Sequence, residues 1–181
     1  MPANNSIKKT LSLIENDATK VLGLDVGKHT NVQPGQYIPR ADAQLPPKLS
    51  FRGLSPNTTY MVVGLDIDAP FPSFGVLGPI LHWIQSDLQP TPSDSDSTTY
   101  DLKITAPFVA NYIGPAPPPG SSPHRYIFFL YEQPVGFEGE KYAPPGGQKL
   151  GNMHRMRFDL DAWETKIGLG DIVATNYFAS N

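Results

Sequence analysis

Hydrophobic side chains near the start of the chain recur every three or four residues. This spacing predicts an amphipathic helix over residues 6–22, whose apolar stripe faces the core. Asn5 or Ser6 stands where a helix cap is preferred, and Gly23 stands where a helix commonly ends. We therefore expect the chain to begin with a surface helix packed on a larger core.

A second, shorter helix is predicted near residues 160–167, where apolar side chains again stand three and four residues apart. Asp159 or Asp161 can cap its start, and Gly168 or Gly170 can end it.

Between the helices, apolar residues form short continuous or alternating runs, which are typical of β-strands. These runs are 49–51, 60–66, 80–85, 101–104, 125–132 and 171–178. The run 125–132 is apolar on both faces, which predicts a central strand buried on both sides. Twenty prolines and sixteen glycines favour a β-rich fold with ordered loops over a helical bundle. The pattern therefore predicts a mostly β protein with a helix near each end.

Length and composition predict a single domain over residues 1–181, with its core over about 30–181. No repeat and no linker divides the 181 residues. The absence of cysteine excludes disulfides and thiolate catalysis, and it favours a reducing, cytoplasmic location. No secretory leader is recognised, because polar residues interrupt the apolar positions that follow Lys8 and Lys9.

Charge and motifs exclude several classes of function. The net charge of -3 and the lack of a basic stripe argue against nucleic acid as a partner. No apolar run reaches the roughly 18–20 residues of a transmembrane segment. We predict no cofactor, since no glycine-rich nucleotide loop is present. We also predict no metal, since the histidines form no short ligand pair.

Four titratable side chains stand at the ends of the predicted strands or within them. Asp66 and Asp68 follow one apolar run, His82 lies inside another, and His124 begins the run that is apolar on both faces. Taken locally, the aspartates can simply hydrogen-bond a turn, and each histidine can be a satisfied core residue. The same residue types can also form a polar site, so the local sequence leaves both interpretations open.

Five motifs, taken in order, point beyond their local context. They are Asp66-Ile67-Asp68-Ala69-Pro70, Leu81-His82-Trp83, Gly114-Pro115-Ala116-Pro117-Pro118-Pro119-Gly120, His124-Arg125-Tyr126 and Leu130-Tyr131-Glu132-Gln133-Pro134. In order and spacing they resemble the signature regions of the phosphatidylethanolamine-binding protein (PEBP) family. From this resemblance the chain is identified as a member of that family, of the fungal type.

The resemblance implies a large antiparallel sheet, a smaller second sheet and peripheral helices. It also implies a ligand pocket formed by Asp66, Asp68, Pro70, His82, Gly114, Pro117, Pro118, His124 and Tyr126. Imidazole N–H groups and a tyrosine hydroxyl can hold an anion in a partly apolar cleft. Asp66 or Asp68 would orient the imidazoles and favour their charged form. Ile67, Ala116 and Pro123 depart from the family's usual residues.

Two classes of function follow from the resemblance. The first is a binding protein for a small anionic ligand, such as phosphate, a carboxylate or a phospholipid headgroup, that regulates a protease or kinase as a protein partner. The second is an enzyme-like or accessory role in fungal polyketide biosynthesis of the anhydride or maleidride type, assisting coupling or cyclisation of an acidic intermediate. His82, His124 and Asp66 are then the catalytic candidates. A serine hydrolase is disfavoured, because no G-x-S-x-G motif exists and Ser121 lies in a proline-rich loop.

Overall fold

The computed structural model describes residues 4–73, 76–94, 96 and 98–181. Within these residues there are two α-helices and eight β-strands. The helices are α1 (Asn5–Asn16) and α2 (Leu160–Ile167). The strands are β1 (Gly23–Asp25), β2 (Gln36–Tyr37), β3 (Lys48–Arg52), β4 (Tyr60–Asp66), β5 (Ile80–Pro92), β6 (Thr99–Ile104), β7 (His124–Glu132) and β8 (Ala174–Ser180). The mostly β prediction is confirmed.

All eight strands belong to one curled sheet with the order β1-β3-β6-β5-β4-β7-β8-β2. Every neighbouring pair is antiparallel except β2 with β8. The strand β5 joins the two parts of the sheet, because residues 80–88 pair with β4 and residues 88–92 pair with β6. Among the described residues the strands beyond β5 are therefore continuous with the large sheet and do not form a separate smaller one.

The strand β7 lies in the middle of the core, between β4 and β8. Its side chains alternate between two apolar clusters: Tyr126 and Phe128 join the cluster inside the curl, while Ile127 and Phe129 join the cluster under the helices. The prediction of a strand buried on both faces is confirmed. This strand carries two of the predicted site residues, so the site rests on the most buried part of the sheet.

The first helix is shorter than the sequence pattern predicts, ending at Asn16 and not at residue 22. The Asp17 carboxylate accepts the backbone N–H of Thr19 and opens a separate 3₁₀ turn over residues 18–20. Leu22 then turns to the sheet, where its N–H donates to the carbonyl of Thr175. The apolar spacing continues past Asn16, but a local carboxylate and the sheet compete for the backbone groups.

A carboxylate from the other helix caps α1. The backbone N–H groups of Asn5 and Ser6 each donate to Asp161, at 3.0 Å and 3.0 Å. Burial alone would raise the pKa of Asp161, but these hydrogen bonds lower it below its ordinary value. The prediction that Asn5 or Ser6 caps the helix is therefore wrong, since the capping group lies 155 or more positions away in the sequence.

The second helix follows its sequence signals. The Asp159 side chain accepts the N–H of Ala162 at 2.9 Å, and Gly168 ends the helix with a φ of 71°. Both groups were predicted from the local sequence and are confirmed. In the described part of the chain, neither helix has the length and apolar character needed to cross a membrane.

Candidate functional site

Neighbouring strands bring four of the predicted site residues together. Asp66 ends β4 and is the cross-strand partner of Tyr126 on β7. The ring of Tyr126 lies 5.0 Å from the ring of His82 and 6.5 Å from the ring of His124, measured between centroids. All four side chains are at most 5% exposed. The structure therefore gathers Asp66, His82, His124 and Tyr126 into one buried cluster, which is the candidate site.

A β-bulge turns His82 towards this buried cluster. In the pairing of β4 with β5, Gly64 lies opposite Trp83, and the next residue, Leu65, lies opposite Leu81, so His82 is the extra residue. A bulge re-aims a side chain that strict alternation would send to the other face. Trp83 packs in the cluster that contains Tyr126, and His82 also meets Tyr126, so both side chains lie on one side of the sheet.

One ring nitrogen of His82 is held by the backbone. Its Nδ1 lies 2.7 Å from the carbonyl oxygen of Ile113, and the Ile113 N–H donates to the carbonyl of His82 at 3.0 Å. Burial lowers the pKa of His82, although Asp66 partly opposes this effect. A neutral His82 therefore carries its proton on Nδ1 and presents Nε2 as a hydrogen-bond acceptor. This differs from the expectation of a charged imidazole at both histidines.

His124 is held at both ring nitrogens. Its Nδ1 lies 2.8 Å from Oδ2 of Asp66, and its Nε2 lies 2.9 Å from the hydroxyl of Ser121. Burial alone would lower the pKa of His124, but the hydrogen bond and charge of Asp66 raise it above its ordinary value. The Asp66 carboxylate is itself fixed, because its Oδ1 accepts the backbone N–H of Asp68 at 2.9 Å. The pKa values of the two histidines are thus shifted in opposite directions.

The hydroxyl of Tyr126 is buried and has no hydrogen-bond partner among the described residues. The Asp66 carboxylate and the backbone of Ala116 are close enough to influence the pKa of this hydroxyl. Burial raises the pKa of Tyr126, so the hydroxyl keeps its proton and remains a donor. A buried hydroxyl without a partner costs about 1–3 kcal/mol. The Tyr126 hydroxyl is therefore an unsatisfied donor within the candidate site.

Asp68 does not orient either imidazole. Its carboxylate accepts the backbone N–H of Arg125 at 2.9 Å and two guanidinium N–H groups of the same residue, at 2.8 Å and 2.7 Å. This bidentate pair raises the pKa of Arg125. Asp68 therefore ties the loop after β4 to the start of β7, and of the two aspartates only Asp66 orients a histidine.

The predicted wall residues have different surroundings. The Pro70 carbonyl lies near the ring of His124. Pro117 is buried, and Pro118 is half-buried. A Cβ on Gly114 would come within 2.9 Å of the Ala43 carbonyl, so this glycine allows the loop to pack closely against the 3₁₀ turn over residues 40–43.

Arg155 is a site-supporting residue that sequence reasoning missed. Its side chain is fully buried, and its guanidinium donates to the carbonyls of Leu81, Asn111 and Leu150 and to the Asn111 side chain. The Leu81 N–H in turn donates to the Arg155 carbonyl at 2.8 Å. Arg155 therefore holds the residue before His82 from both sides. No local signal distinguishes it from exposed Arg157, two positions later.

Ser121 and Ser180 were also missed. Ser121 contacts His124 directly, but the sequence shows only that it stands three residues before His124 in a proline-rich loop. Ser180 lies opposite His124 in the pairing of β7 with β8. Its hydroxyl is fully buried without a partner among the described residues. Only the pairing register of β7 with β8 places Ser180 beside the site, and the sequence of one strand does not determine that register.

Comparison with known proteins agrees with this architecture. Residues 28–180 match the sequence profile of the family described as phosphatidylethanolamine-binding protein. The carboxypeptidase Y inhibitor of Saccharomyces cerevisiae is 26% identical over 160 residues, which cover 82% of this chain and 67% of the inhibitor. Phomoidride biosynthesis cluster protein N of Talaromyces stipitatus is 30% identical over 171 residues, which cover 87% of this chain and 82% of that protein.

The fold is also similar to solved structures. The crystal structure of carboxypeptidase Y inhibitor complexed with its cognate proteinase superposes with a TM-score of 0.73 at 23% identity. The match covers 98% of this chain and 93% of that one. At this low sequence identity, the structural similarity establishes only the fold. The match to the family's sequence profile establishes the family. The chain belongs to the phosphatidylethanolamine-binding protein family.

Proposed function

We propose that the chain is a binding protein for a small acid or anion, such as phosphate, a carboxylate or a lipid headgroup. The observation that carries this proposal is the buried Tyr126 hydroxyl, which has no partner among the described residues. A ligand oxygen that accepts this hydroxyl removes the cost of leaving it unpaired. His82, His124 and Asp66 surround the same ring, and Nε2 of His82 adds a hydrogen-bond acceptor for a ligand that carries a proton.

The charges around the candidate site favour an acidic ligand. The guanidinium of Arg155 is fully buried, and within the described part of the chain its hydrogen bonds go only to neutral acceptors. Its charge acts on His82 and disfavours a second positive charge there. Asp66 pairs with His124, and the two charges largely offset each other when His124 is protonated. Arg155 thus places a positive charge near His82, and neutral His82 can accept a hydrogen bond from an acid that keeps one proton.

A relative named for protease inhibition favours a binding role, and we extend the proposal to a protein partner on that ground. That this partner is a protease is the more specific part of the proposal. A direct check is the hydrolysis of a peptide by carboxypeptidase Y with and without this protein.

Replacing Tyr126 by Phe is expected to weaken binding of inorganic phosphate about 10- to 100-fold. A hydrogen bond to a charged acceptor contributes about 1.5–3 kcal/mol, which corresponds to this range. The stability of the ligand-free protein should not fall, because the removed hydroxyl has no partner among the described residues. Titration calorimetry and a urea melt measure the two effects.

The matched control is Tyr100→Phe, which removes a hydroxyl from β6 on the other side of β5. It should leave phosphate binding unchanged. Phosphorylethanolamine and acetate, titrated in parallel, distinguish a headgroup and a carboxylate from free phosphate. Wild-type protein that binds none of the three would contradict the proposed function.

A second candidate is an enzyme-like role in the biosynthesis of an acidic or anhydride intermediate. Two observations favour it: the 30% identity to phomoidride biosynthesis cluster protein N, and the opposite pKa shifts of two neighbouring histidines. Burial lowers the pKa of His82, so this side chain is a neutral base at neutral pH. In such a role His82 Nε2 would remove a proton from a carbon that is conjugated with the ligand's carboxyl group through a carbon–carbon double bond.

If this role holds, the protein should accelerate deuterium exchange at the methyl group of citraconate in D₂O, followed by proton NMR. General base catalysis typically contributes about 10²–10⁴-fold, and His82→Gln should remove that factor. The control His29→Gln changes a histidine that pairs with Asp42 and should leave exchange unchanged. Exchange at the uncatalysed rate with wild-type protein would exclude the enzyme-like role for this compound and leave the binding role intact.

A further inference from the structure

Three side chains form a continuous hydrogen-bonded chain at the edge of the candidate site. The Ser121 hydroxyl lies 2.9 Å from Nε2 of His124, and Nδ1 of His124 lies 2.8 Å from Oδ2 of Asp66. The second oxygen of Asp66 accepts the N–H of Asp68. This is the order of nucleophile, base and orienting carboxylate, which is recognised by geometry and not by position in the sequence.

We infer that Ser121 is a nucleophile that accepts acyl or phosphoryl groups from activated esters and anhydrides. This activity goes beyond the proposed binding function, although both use His124 and Asp66. The sequence gives no such indication, because the motif of the common serine hydrolases is absent.

The loop around Ser121 meets further requirements of such a site. The Ser121 N–H donates to the Pro118 carbonyl at 3.1 Å, and this turn sets the hydroxyl above His124. The side chain of Ser121 is 9% exposed, while Ser122 is exposed. The Ser122 N–H makes no hydrogen bond to the described part of the chain. An N–H directly after a nucleophile can donate to the oxyanion that forms on the acyl carbonyl.

The same contacts explain how the serine is held inactive and how it becomes a nucleophile. The Ser121 hydroxyl also lies 2.9 Å from the carbonyl oxygen of Ser122. When His124 is charged, its Nε2–H donates to Ser121, and the hydroxyl proton is donated to Ser122. When His124 loses that proton, rotation about one bond turns the hydroxyl towards Nε2, which then acts as the base.

The chemical step balances without any cofactor. The Ser121 oxygen attacks the acyl carbon, and its proton passes to Nε2 of His124. The new bond is a serine ester, and the bond between the acyl carbon and the leaving oxygen breaks. The leaving oxygen takes the proton from His124. Water can then reverse the sequence, giving the free acid and the original hydroxyl.

The reaction should quicken as pH rises. The groups that face His124 are Asp66, Asp68, the Pro70 carbonyl, Ser121, Tyr126, Ser180 and His82. Asp66 raises the pKa of His124 against the effect of burial, so the base form becomes abundant only above the ordinary histidine range. The rate of acylation should therefore increase through that raised pKa and then level off.

The test is labelling of the full chain with diisopropyl fluorophosphate, in which a serine–phosphorus bond replaces the phosphorus–fluorine bond. We expect a single phosphoryl adduct that maps to Ser121 and not to neighbouring Ser122. Ser121→Ala should remove it, and His124→Gln should slow it about 100-fold or more, since a general base contributes at least this much. Ser12→Ala, which removes an exposed hydroxyl from α1, should label like the wild type.

Three results would overturn the inference. They are no adduct at Ser121 in wild-type protein between pH 6 and 9, equal labelling rates in wild type and His124→Gln, and a rate that falls as pH rises. Phosphate titration of the same preparation keeps the two proposals apart. If wild-type protein binds phosphate but forms no adduct, the proposed binding function stands and the proposed nucleophile is refuted.

Discussion

Replacing Arg155 by Met should lower the free energy of unfolding by about 3 kcal/mol, because it leaves buried carbonyl oxygens unpaired at about 1–3 kcal/mol each. The guanidinium makes four hydrogen bonds, between 2.7 and 3.1 Å long, to Leu81, Asn111 and Leu150. Removing the buried charge also removes its desolvation cost, so the loss is smaller than the sum over all orphaned acceptors. Urea denaturation of both proteins measures the difference.

The control is Arg157→Met, two positions along the chain. Arg157 is exposed and makes one side-chain hydrogen bond, to the Val76 carbonyl at 3.2 Å. Its substitution should change stability by about 0.5 kcal/mol or less, as is typical of surface positions. Equal denaturation midpoints for Arg155→Met and wild type would show that the buried guanidinium contributes nothing to the fold.

This substitution should also weaken phosphate binding, since Arg155 holds the backbone on both sides of the bulged residue. Its guanidinium binds the Leu81 carbonyl, and its own carbonyl accepts the Leu81 N–H. It also donates to Asn111. This residue lies two positions before Ile113, whose carbonyl oxygen fixes the His82 ring. The bulge and the opposing loop therefore depend on one side chain.

The elements of the fold were predictable where local signals and tertiary packing agree. The apolar run of β7 predicted a buried central strand, and Asp159 with Gly168 predicted the bounds of α2. The spacing at the start of the chain predicted a helix but not its end. There the Asp17 carboxylate and the sheet compete for the backbone, and helix periodicity carries no information about either.

The candidate site was predictable only through the ordered motifs. Alternation alone would place His82 and Trp83 on opposite faces, and the bulge between β4 and β5 places them on one. The hydrogen-bond partners of the two aspartates could not be predicted from the local sequence either. Asp66 meets His124 and Asp68 meets Arg125, and both contacts span more than 50 positions. Such contacts depend on register, which a single sequence does not state.

The second large effect is expected at Asp66, whose carboxylate is the charged partner of a buried histidine. Asp66→Asn should reduce stability by about 3 kcal/mol at pH 5.5, because breaking a buried pair leaves one charge uncompensated. His124 is 1% exposed, and in wild type the Asp66 carboxylate raises its pKa. Without that carboxylate, burial dominates and the pKa of His124 should fall below its ordinary value, as histidine NMR can show.

The pH dependence of this loss follows from the direction of the shift. A histidine whose pKa is raised by folding stabilises the protein fully below its unfolded pKa of about 6.5. That contribution disappears as pH rises through the raised folded value. The difference between wild type and Asp66→Asn should therefore be largest at pH 5.5 and should narrow towards pH 9, measured by urea denaturation at both values.

The control for Asp66→Asn is the same substitution in a more exposed pair. Asp42 lies 2.9 Å from Nε2 of His29, and these side chains are 22% and 24% exposed. Solvent screens this pair, so Asp42→Asn should have a smaller effect that varies less between the two pH values. If Asp66→Asn instead costs the same stability at pH 5.5 and pH 9, the charge of Asp66 does not act through His124. The hydrogen bonds that link Asp66, His124 and Ser121 would then contribute to packing but would not control the protonation of His124.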